Sequence, residues 1–212
     1  MPKYISAFGG IAKGALDKAY VAVGMRVLEG PAAIGEEHSK PYARALIADL
    51  AENRLIHTLF SEQPNGRMSL GGPTIQEYVQ DGAGRRTNWP DLDLYYKVLY
   101  ASDRKQGGAG EFPYPAFLRV LLNCGVTVYC YDVNPEPDKR RPELGSATNM
   151  KFRNEAMAST VLHENCIRRP GVVLLNGAKH FKRISDSKAD CTGLHTLCDI
   201  PDRAVFKLAD LG

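Results

Sequence analysis

The stretch PAAIGEEH, residues 31–38, joins a short apolar run to two glutamates and a histidine. Three later stretches repeat this arrangement: IHTLFSE at 56–62, VTVYCYD at 126–132 and VVLLNGAKH at 172–180. Each apolar run has the length and the nearly continuous apolar character of a strand that is buried on both faces. We therefore predict four strands with acidic or imidazole side chains at their carboxyl ends, over 32–36, 56–61, 126–131 and 172–175.

Helical patterns separate these runs. Apolar residues recur at helical spacing after Pro41, in 114–123 and in 148–166, and a last short strand is predicted over 204–208. Residues 20–28 fit a strand or a helix. Strands that alternate with helices predict an α/β fold, with a mostly parallel central sheet and helices on both faces.

A segment at about 67–113 interrupts the alternation of strands and helices. It contains three glycine-rich stretches around a helical pattern that includes Leu92 and Leu99. We predict a single α/β domain over 1–212 with a cap-like helical insertion at 67–113, whose glycines would permit movement. The other interpretation is a plain excursion that packs against the edge of the sheet.

Bulk composition excludes several classes of protein. The chain has 212 residues, of which 44% are apolar, and 27 basic against 24 acidic residues give a net charge of +3. This balance does not favour a nucleic-acid partner. There is no transmembrane run and no classical signal peptide, so we expect a cytoplasmic protein or an effector secreted by another route. Five cysteines without C-x-x-C spacing favour free thiols, with a Cys191–Cys198 bridge as the alternative.

The ionisable residues after the predicted strands form one candidate site. Because ligands bind at the carboxyl ends of parallel strands, the side chains there are expected to meet. They are Glu36, His38, Glu62, Asp132 and His180. Carboxylates and imidazoles suit a hydrolytic divalent metal centre or a metal-free acid/base pair. Each residue alone also has an ordinary interpretation, as part of a solvated loop, a turn or a helix start.

Arg153 extends this candidate site. It lies one turn into the helix that follows Asp132, so its guanidinium is expected at the same edge of the sheet, where it would orient a carboxylate or hold an anionic group. A purely structural ion pair is the alternative. Asn154 is expected to point elsewhere, and His195 is a candidate outer partner of His180.

The order of these motifs resembles the superfamily that contains erythromycin esterases, ChaN-like haem-binding lipoproteins and Tiki metalloproteases. Related domains occur in bacterial dermonecrotic-type toxins. The family pattern has Gly-Glu-x-His, then a strand ending in glutamate, a strand ending in aspartate, an Arg-Asn-x-x-Met-Ala helix, Gly-x-x-His and a closing Gly-Leu…Pro element. These elements correspond in order to residues 35–38, 62, 132, 153–158, 177–180 and 193–201.

The resemblance implies which residues act and what they do. Glu36, His38, Glu62 and His180 would form the active cluster, as catalytic groups or metal ligands, with Asp132 and Arg153 supporting them. The first hypothesis is a hydrolase of ester or amide bonds in small molecules or peptides, metal-dependent or not, which could act as an effector or toxin domain. The alternative is a non-catalytic protein of the ChaN-like type that binds haem or another ligand through His180 or His38.

Overall fold

The computed structural model describes residues 2–37, 40–64, 112, 114–132, 146–164 and 167–208. Its helices, labelled in chain order within these ranges, are α1 Gly10–Glu29, α2 Tyr42–Glu52, α3 Tyr114–Asn123, α4 Ala147–His163 and α5 Leu194–Leu197. Its strands are β1 Ala32–Glu36, β2 Thr58–Pro64, β3 Thr127–Asp132, β4 Val172–Gly177, β5 Ile184–Ser185, β6 Asp190–Cys191 and β7 Val205–Lys207. Short 3-10 helices span Ile5–Ala7, Ala178–Phe181 and Asp202–Ala204.

Five of these strands form one parallel sheet in the order β3-β2-β4-β1-β7. β1 aligns with β4 from Ala32 opposite Val173 to Glu36 opposite Gly177. The strands run in the same direction, so their carboxyl ends share one edge. The predicted α/β fold with a mostly parallel sheet is confirmed.

Apolar side chains cover the two faces of the sheet separately, because successive residues of a strand point to opposite sides. On the first face, Ile34, Leu59 and Leu175 belong to the core that α1, α2 and α3 cover. On the second face, Phe60 and Leu174 belong to the core that α4 and the C-terminal segment cover. Burial on both faces explains why the strands are continuously apolar in sequence.

Helix α1 resolves the ambiguity over residues 20–28, which are helical. The helix ends at Gly30, whose backbone N–H donates to the carbonyl of Arg26. Helix α2 lies between α1 and α3, and its residues from Ala43 to Ala51 are all buried. No helix among the described residues is long and apolar enough to span a bilayer.

Several boundaries differ from the sequence prediction. β2 continues past Glu62 to Pro64, with a shift of its register against β3 between Ser61 and Pro64. An antiparallel ribbon of β5 and β6 follows β4, and its two-residue strands are too short to leave a periodic signal. The predicted insertion at 67–113 lies outside the described residues, apart from Phe112.

Candidate acid/base site at the carboxyl edge of the sheet

The connections of the sheet lead to opposite faces at the end of β4. β4 lies between β2 and β1. Helix α2, which follows β1, and helix α3, which precedes β3, pack on the first face, whereas the chain that follows β4 packs on the second. In open α/β sheets ligands bind where neighbouring connections lead to opposite faces. The fold therefore places the candidate site beside the carboxyl end of β4.

Glu62 is at the centre of this site. Its Oε1 accepts a hydrogen bond from Nη2 of Arg153 at 2.6 Å and lies 2.9 Å from Nε2 of His180. Its Oε2 accepts the backbone N–H of Gly177, the last residue of β4, at 2.6 Å. The side chain is only 10% exposed. Three contacts from three other elements, namely α4, β4 and the 3-10 helix Ala178–Phe181, therefore fix this carboxylate near the carboxyl end of β2.

His180 lies in the 3-10 helix that follows β4, and its side chain is 3% exposed. Its Nδ1 is 2.6 Å from Oδ1 of Asn154. The Asn154 amide donates to the carbonyls of Thr192, at 3.0 Å, and of His180 itself, at 3.3 Å. These two acceptors assign nitrogen and oxygen of the Asn154 amide, so Nδ1 of His180 is the donor to Oδ1.

The contact between Nε2 of His180 and Oε1 of Glu62 then holds one proton between two groups. Either the imidazole is doubly protonated and donates to the carboxylate, or a protonated Glu62 donates to the imidazole. With Asp132 ionised and Arg153 charged, the four groups have no net charge in either form. Because the pair is neutral in either form, the proton can move along this contact without placing a net charge in the protein interior.

Arg153 and Asp132 form the adjoining pair. Nε and Nη2 of Arg153 donate to the two carboxylate oxygens of Asp132 at 3.0 and 2.8 Å, the planar two-bond geometry that guanidinium favours. Burial raises the pKa of Asp132 above its ordinary value, and Arg153 offsets part of that rise. Burial alone would lower the pKa of Arg153, but Asp132 and Glu62 together raise it above its ordinary value.

A second polar chain lies beneath the site. The Tyr131 hydroxyl donates to Oδ1 of Asn176, and the Asn176 amide donates to the sulfur of Met157 at 3.4 Å. Burial raises the pKa of Tyr131 well above its ordinary value. Tyr131 therefore stays a neutral hydrogen-bond donor. Through Asn176 it links the end of β4 to Met157 of α4.

Glu36 ends at the same edge but faces the other side of the sheet. It is 7% exposed and aligns with Gly177. Its Oε2 lies 3.9 Å from Nε of Arg44, a buried residue of α2. Glu37, the neighbouring carboxylate, is exposed and lies 3.4 Å from Lys40. Of this sequence motif, Glu36 is thus the buried member, and His38 lies outside the described residues.

The structure brings four of the six predicted site residues into direct contact, namely Glu62, Asp132, Arg153 and His180. Asn154 was expected to point elsewhere, but it is completely buried and contacts His180. The signal was present in the sequence, because Asn154 falls on the helical stripe of Met150, Met157 and Val161. The Gly177 backbone N–H carries no sequence signal, because every residue except proline has one.

His195 does not contact His180 directly. Its Nε2 lies 2.7 Å from the Asp202 carboxylate, and its ring makes an edge contact with Phe181, the residue after His180.

Burial raises the pKa of Cys198 to about 12, and Cys191 and Cys198 are both free thiols. The alternative prediction, a disulfide bridge between Cys191 and Cys198, is therefore wrong.

The described donors do not fit a resident cation. No group of three or more histidine, cysteine or acidic residues is arranged to hold a metal in the part of the chain that the structure describes. Both Glu62 oxygens face proton donors, and the Arg153 guanidinium lies 2.6 Å from one of them. A cation at this place would meet that positive charge. Haem is equally mismatched to His180, since both ring nitrogens already have partners.

Comparison with known proteins places the fold. No family model and no curated protein matches the chain. One solved structure, described as bacterial protein toxins, is 14% identical with a TM-score of 0.56 and covers 97% of this chain and 38% of that chain. RRSP, a MARTX toxin effector domain from Vibrio vulnificus CMCP6, is 15% identical with a TM-score of 0.51 and covers 94% of this chain and 36% of that one.

The type III effector HopBA1 is also similar, at 20% identity and a TM-score of 0.47, over 87% of this chain and 80% of that chain. The chain thus spans little more than a third of the length of the two toxin structures. At such identities the likeness concerns the fold alone. This chain has an α/β fold that bacterial toxin and effector domains also have.

Proposed function

We propose that this chain is a hydrolase of ester or amide bonds, acting as a bacterial effector or toxin domain, with Glu62 and His180 as its acid/base pair. The observation that carries the proposal is the 2.9 Å contact between Glu62 and His180 beside the carboxyl end of β4. Two titratable groups that share a proton there are suited to general acid/base catalysis.

Glu62 is the group that meets the substrate. Its carboxylate is more exposed than His180 and takes a proton from the attacking water, while the water oxygen forms a bond to the carbonyl carbon. When the bond to the leaving oxygen or nitrogen breaks, Glu62 returns that proton to the leaving group. The imidazole of His180 holds the Glu62 carboxylate in place through their shared contact.

Arg153 has a separate role in this scheme. Its Nη1 has no hydrogen-bond partner among the described residues, although the side chain is only 15% exposed. A donor that is already fixed by Asp132 suits the negative charge that develops on the carbonyl oxygen of the substrate. Asn154 is a positioning residue, because it contacts the ring of His180 rather than the reacting atoms.

The resemblance to erythromycin esterases, ChaN-like proteins and Tiki metalloproteases belongs to this proposal. It adds Glu36, the last residue of β1, and His38, two residues later in the sequence, with His38 as a second base or as a ligand. The described donor set favours acid/base chemistry that the side chains perform themselves. The proposal includes small esters and peptides as substrates and leaves the choice between them to experiment.

Activity of purified variants on a panel of small esters and peptides tests the proposal. We expect Glu62→Gln and His180→Gln to lower kcat/KM by about 10²–10⁴-fold, the usual contribution of a positioned acid or base. Glu155→Gln and His163→Gln change the same residue types at exposed positions of α4 and serve as controls. Thermal unfolding of each variant checks that the fold is retained.

Undiminished turnover in both site variants, with activity present in the unchanged protein, would refute the assignment. Elemental analysis and activity after treatment with a chelator address the metal. Full activity in metal-free protein is the expected result. A haem titration followed by absorption spectroscopy covers the ChaN-like alternative, for which a Soret band lost in His180→Gln would be required.

A further inference from the structure

A second concave site lies next to the acid/base pair. It is an open cleft of about 1100 Å³ between the segment that follows β4 and the strand β7. Phe181 and Thr192 form the side nearest His180, and Lys182 and Lys207 line it as well. β7 pairs with β1 on one side and is the last strand of the described sheet on the other. The cleft is therefore bounded by the edge strand β7, by the segment around β5 and β6, and by His195 and Thr196 of α5.

The charge of the cleft is unevenly compensated. Asp190 pairs with Arg183 through two hydrogen bonds. Asp202, the other acidic residue of the lining, lies 2.7 Å from His195. Lys182 and Lys207 are both exposed, and neither forms an ion pair with any residue that the structure describes. With the ring of His195 neutral, the lining has three cationic side chains (Lys182, Arg183 and Lys207) and two carboxylates (Asp190 and Asp202), and this excess of one positive charge favours a ligand of negative charge.

His195 supplies an independent sign of a ligand. The residue is only 7% exposed and lines the cleft. Because Nε2 faces the Asp202 carboxylate, Nε2 carries the proton in the neutral ring and Nδ1 is left as the second polar atom. Nδ1 is buried and has no hydrogen-bond partner among the described residues. Buried polar atoms usually have a partner, and an unprotonated Nδ1 accepts a hydrogen bond, so the group that satisfies it is a donor, such as the protonated oxygen of a phosphate or carboxyl group.

We infer that this cleft is a binding site for a ligand with a carboxylate or phosphate group. Lys182 and Lys207 contact the anionic oxygens, and the Thr192 and Thr196 hydroxyls at the lining are positioned to donate to them. Bound ligand is linked to the acid/base pair through two hydrogen bonds, because the carbonyl of Thr192 accepts from the amide of Asn154, whose Oδ1 accepts from Nδ1 of His180. The inference does not rest on the proposed hydrolysis, since binding is measured without turnover.

Nuclear magnetic resonance titration with inorganic phosphate, and separately with succinate, tests the site. We expect saturable shifts of the Thr192, Gly193 and Thr196 amides and of the His195 ring nitrogens with at least one of the two anions. The ring of His57, at the opposite edge of the sheet, provides the reference that does not move. The anion that saturates identifies which of the two groups the cleft accepts.

The double variant Lys182→Ala/Lys207→Ala is expected to raise the dissociation constant by about fivefold to twentyfold, since each exposed charge pair contributes up to roughly a fivefold change. Lys188→Ala removes an exposed lysine of the neighbouring β5–β6 turn and is the matched control. Both changes are at exposed side chains, so the fold is expected to persist. Absence of saturable binding of either anion, or an unchanged dissociation constant in the double variant, would overturn the inference.

Discussion

Replacing Arg153 with methionine is the sharpest test of how the site is held together. The guanidinium makes two hydrogen bonds to Asp132 and one to Glu62, and the three side chains are 15%, 12% and 10% exposed. Its loss leaves two mostly buried carboxylates without their cation. Breaking a buried ion pair by removing one partner costs about 3–5 kcal/mol. Because these groups retain some contact with solvent, we expect about 2–4 kcal/mol near neutral pH.

The pH dependence of this loss has a definite sign. Burial raises the pKa of Asp132 in the folded protein above its ordinary value even with Arg153 present. A carboxyl whose folded pKa is raised binds a proton more readily when folded, so its contribution to stability falls as pH rises from the unfolded pKa through the folded one. Without Arg153 the folded pKa rises further. The deficit of Arg153→Met is therefore largest near neutral pH and shrinks on acidification.

Urea denaturation of the wild type and of Arg153→Met over a range of pH measures both effects. Lys151→Met, at an exposed position of the same helix, is the control and should change the free energy of unfolding by no more than about 0.5 kcal/mol. Adding Asp132→Asn to Arg153→Met removes one unpaired carboxylate and should recover about 1 kcal/mol or more at neutral pH. A deficit below about 1 kcal/mol near neutral pH, or one that grows on acidification, would contradict the charge argument.

Two further predictions concern how His180 is positioned. Asn154→Leu should destabilise the fold by about 2–4 kcal/mol, because the Thr192 carbonyl and Nδ1 of His180 lose their hydrogen-bond partner. The same change should shift the nuclear magnetic resonance signals of the His180 ring nitrogens. The control variant Glu155→Ala should have neither effect. Gly35→Ala places a Cβ 3.1 Å from Cα of Ala178, so it should lower the free energy of unfolding by about 1–3 kcal/mol and also lower activity. At Gly14 an added Cβ meets nothing within 4 Å, so the control variant Gly14→Ala should leave thermal stability unchanged or raise it.

The sequence was informative about the strands and about which ionisable residues follow them. Continuous apolar runs predicted the four long strands, and their carboxyl ends located Glu62, Asp132 and His180 at one edge. The sequence did not predict the register between strands that are distant in the chain. Ser61 aligns with Leu175, whereas Glu36 aligns with Gly177, and this offset places Glu36 and Glu62 on opposite faces of the sheet. Register depends on which strands become neighbours, and a single chain does not state that.

The prediction for Asn154 failed for a different reason. Arg153 was expected on the helix face that carries Met150 and Met157, so Asn154, the next residue, was expected to point elsewhere on the helix. The structure buries Asn154 completely, since every polar atom of its amide finds a partner on the 3-10 helix or on the segment after β6. Burial of an amide is thus decided by partners that are 26 and 38 residues away in sequence.

Stability does not explain why this fold keeps four ionisable groups together at one edge of the sheet. Buried ion pairs are often no better for folding than apolar residues of the same volume, because removing charges from water offsets most of their attraction. Burial raises the pKa of Asp132 despite two hydrogen bonds from Arg153, which is the sign of a net cost at that carboxyl. The cost falls where the connections of the sheet lead to opposite faces, the place at which open α/β sheets usually bind ligands. A proton shared between Glu62 and His180 at this place, with Asn154 fixing one end and Gly177 the other, is better explained by chemistry than by packing.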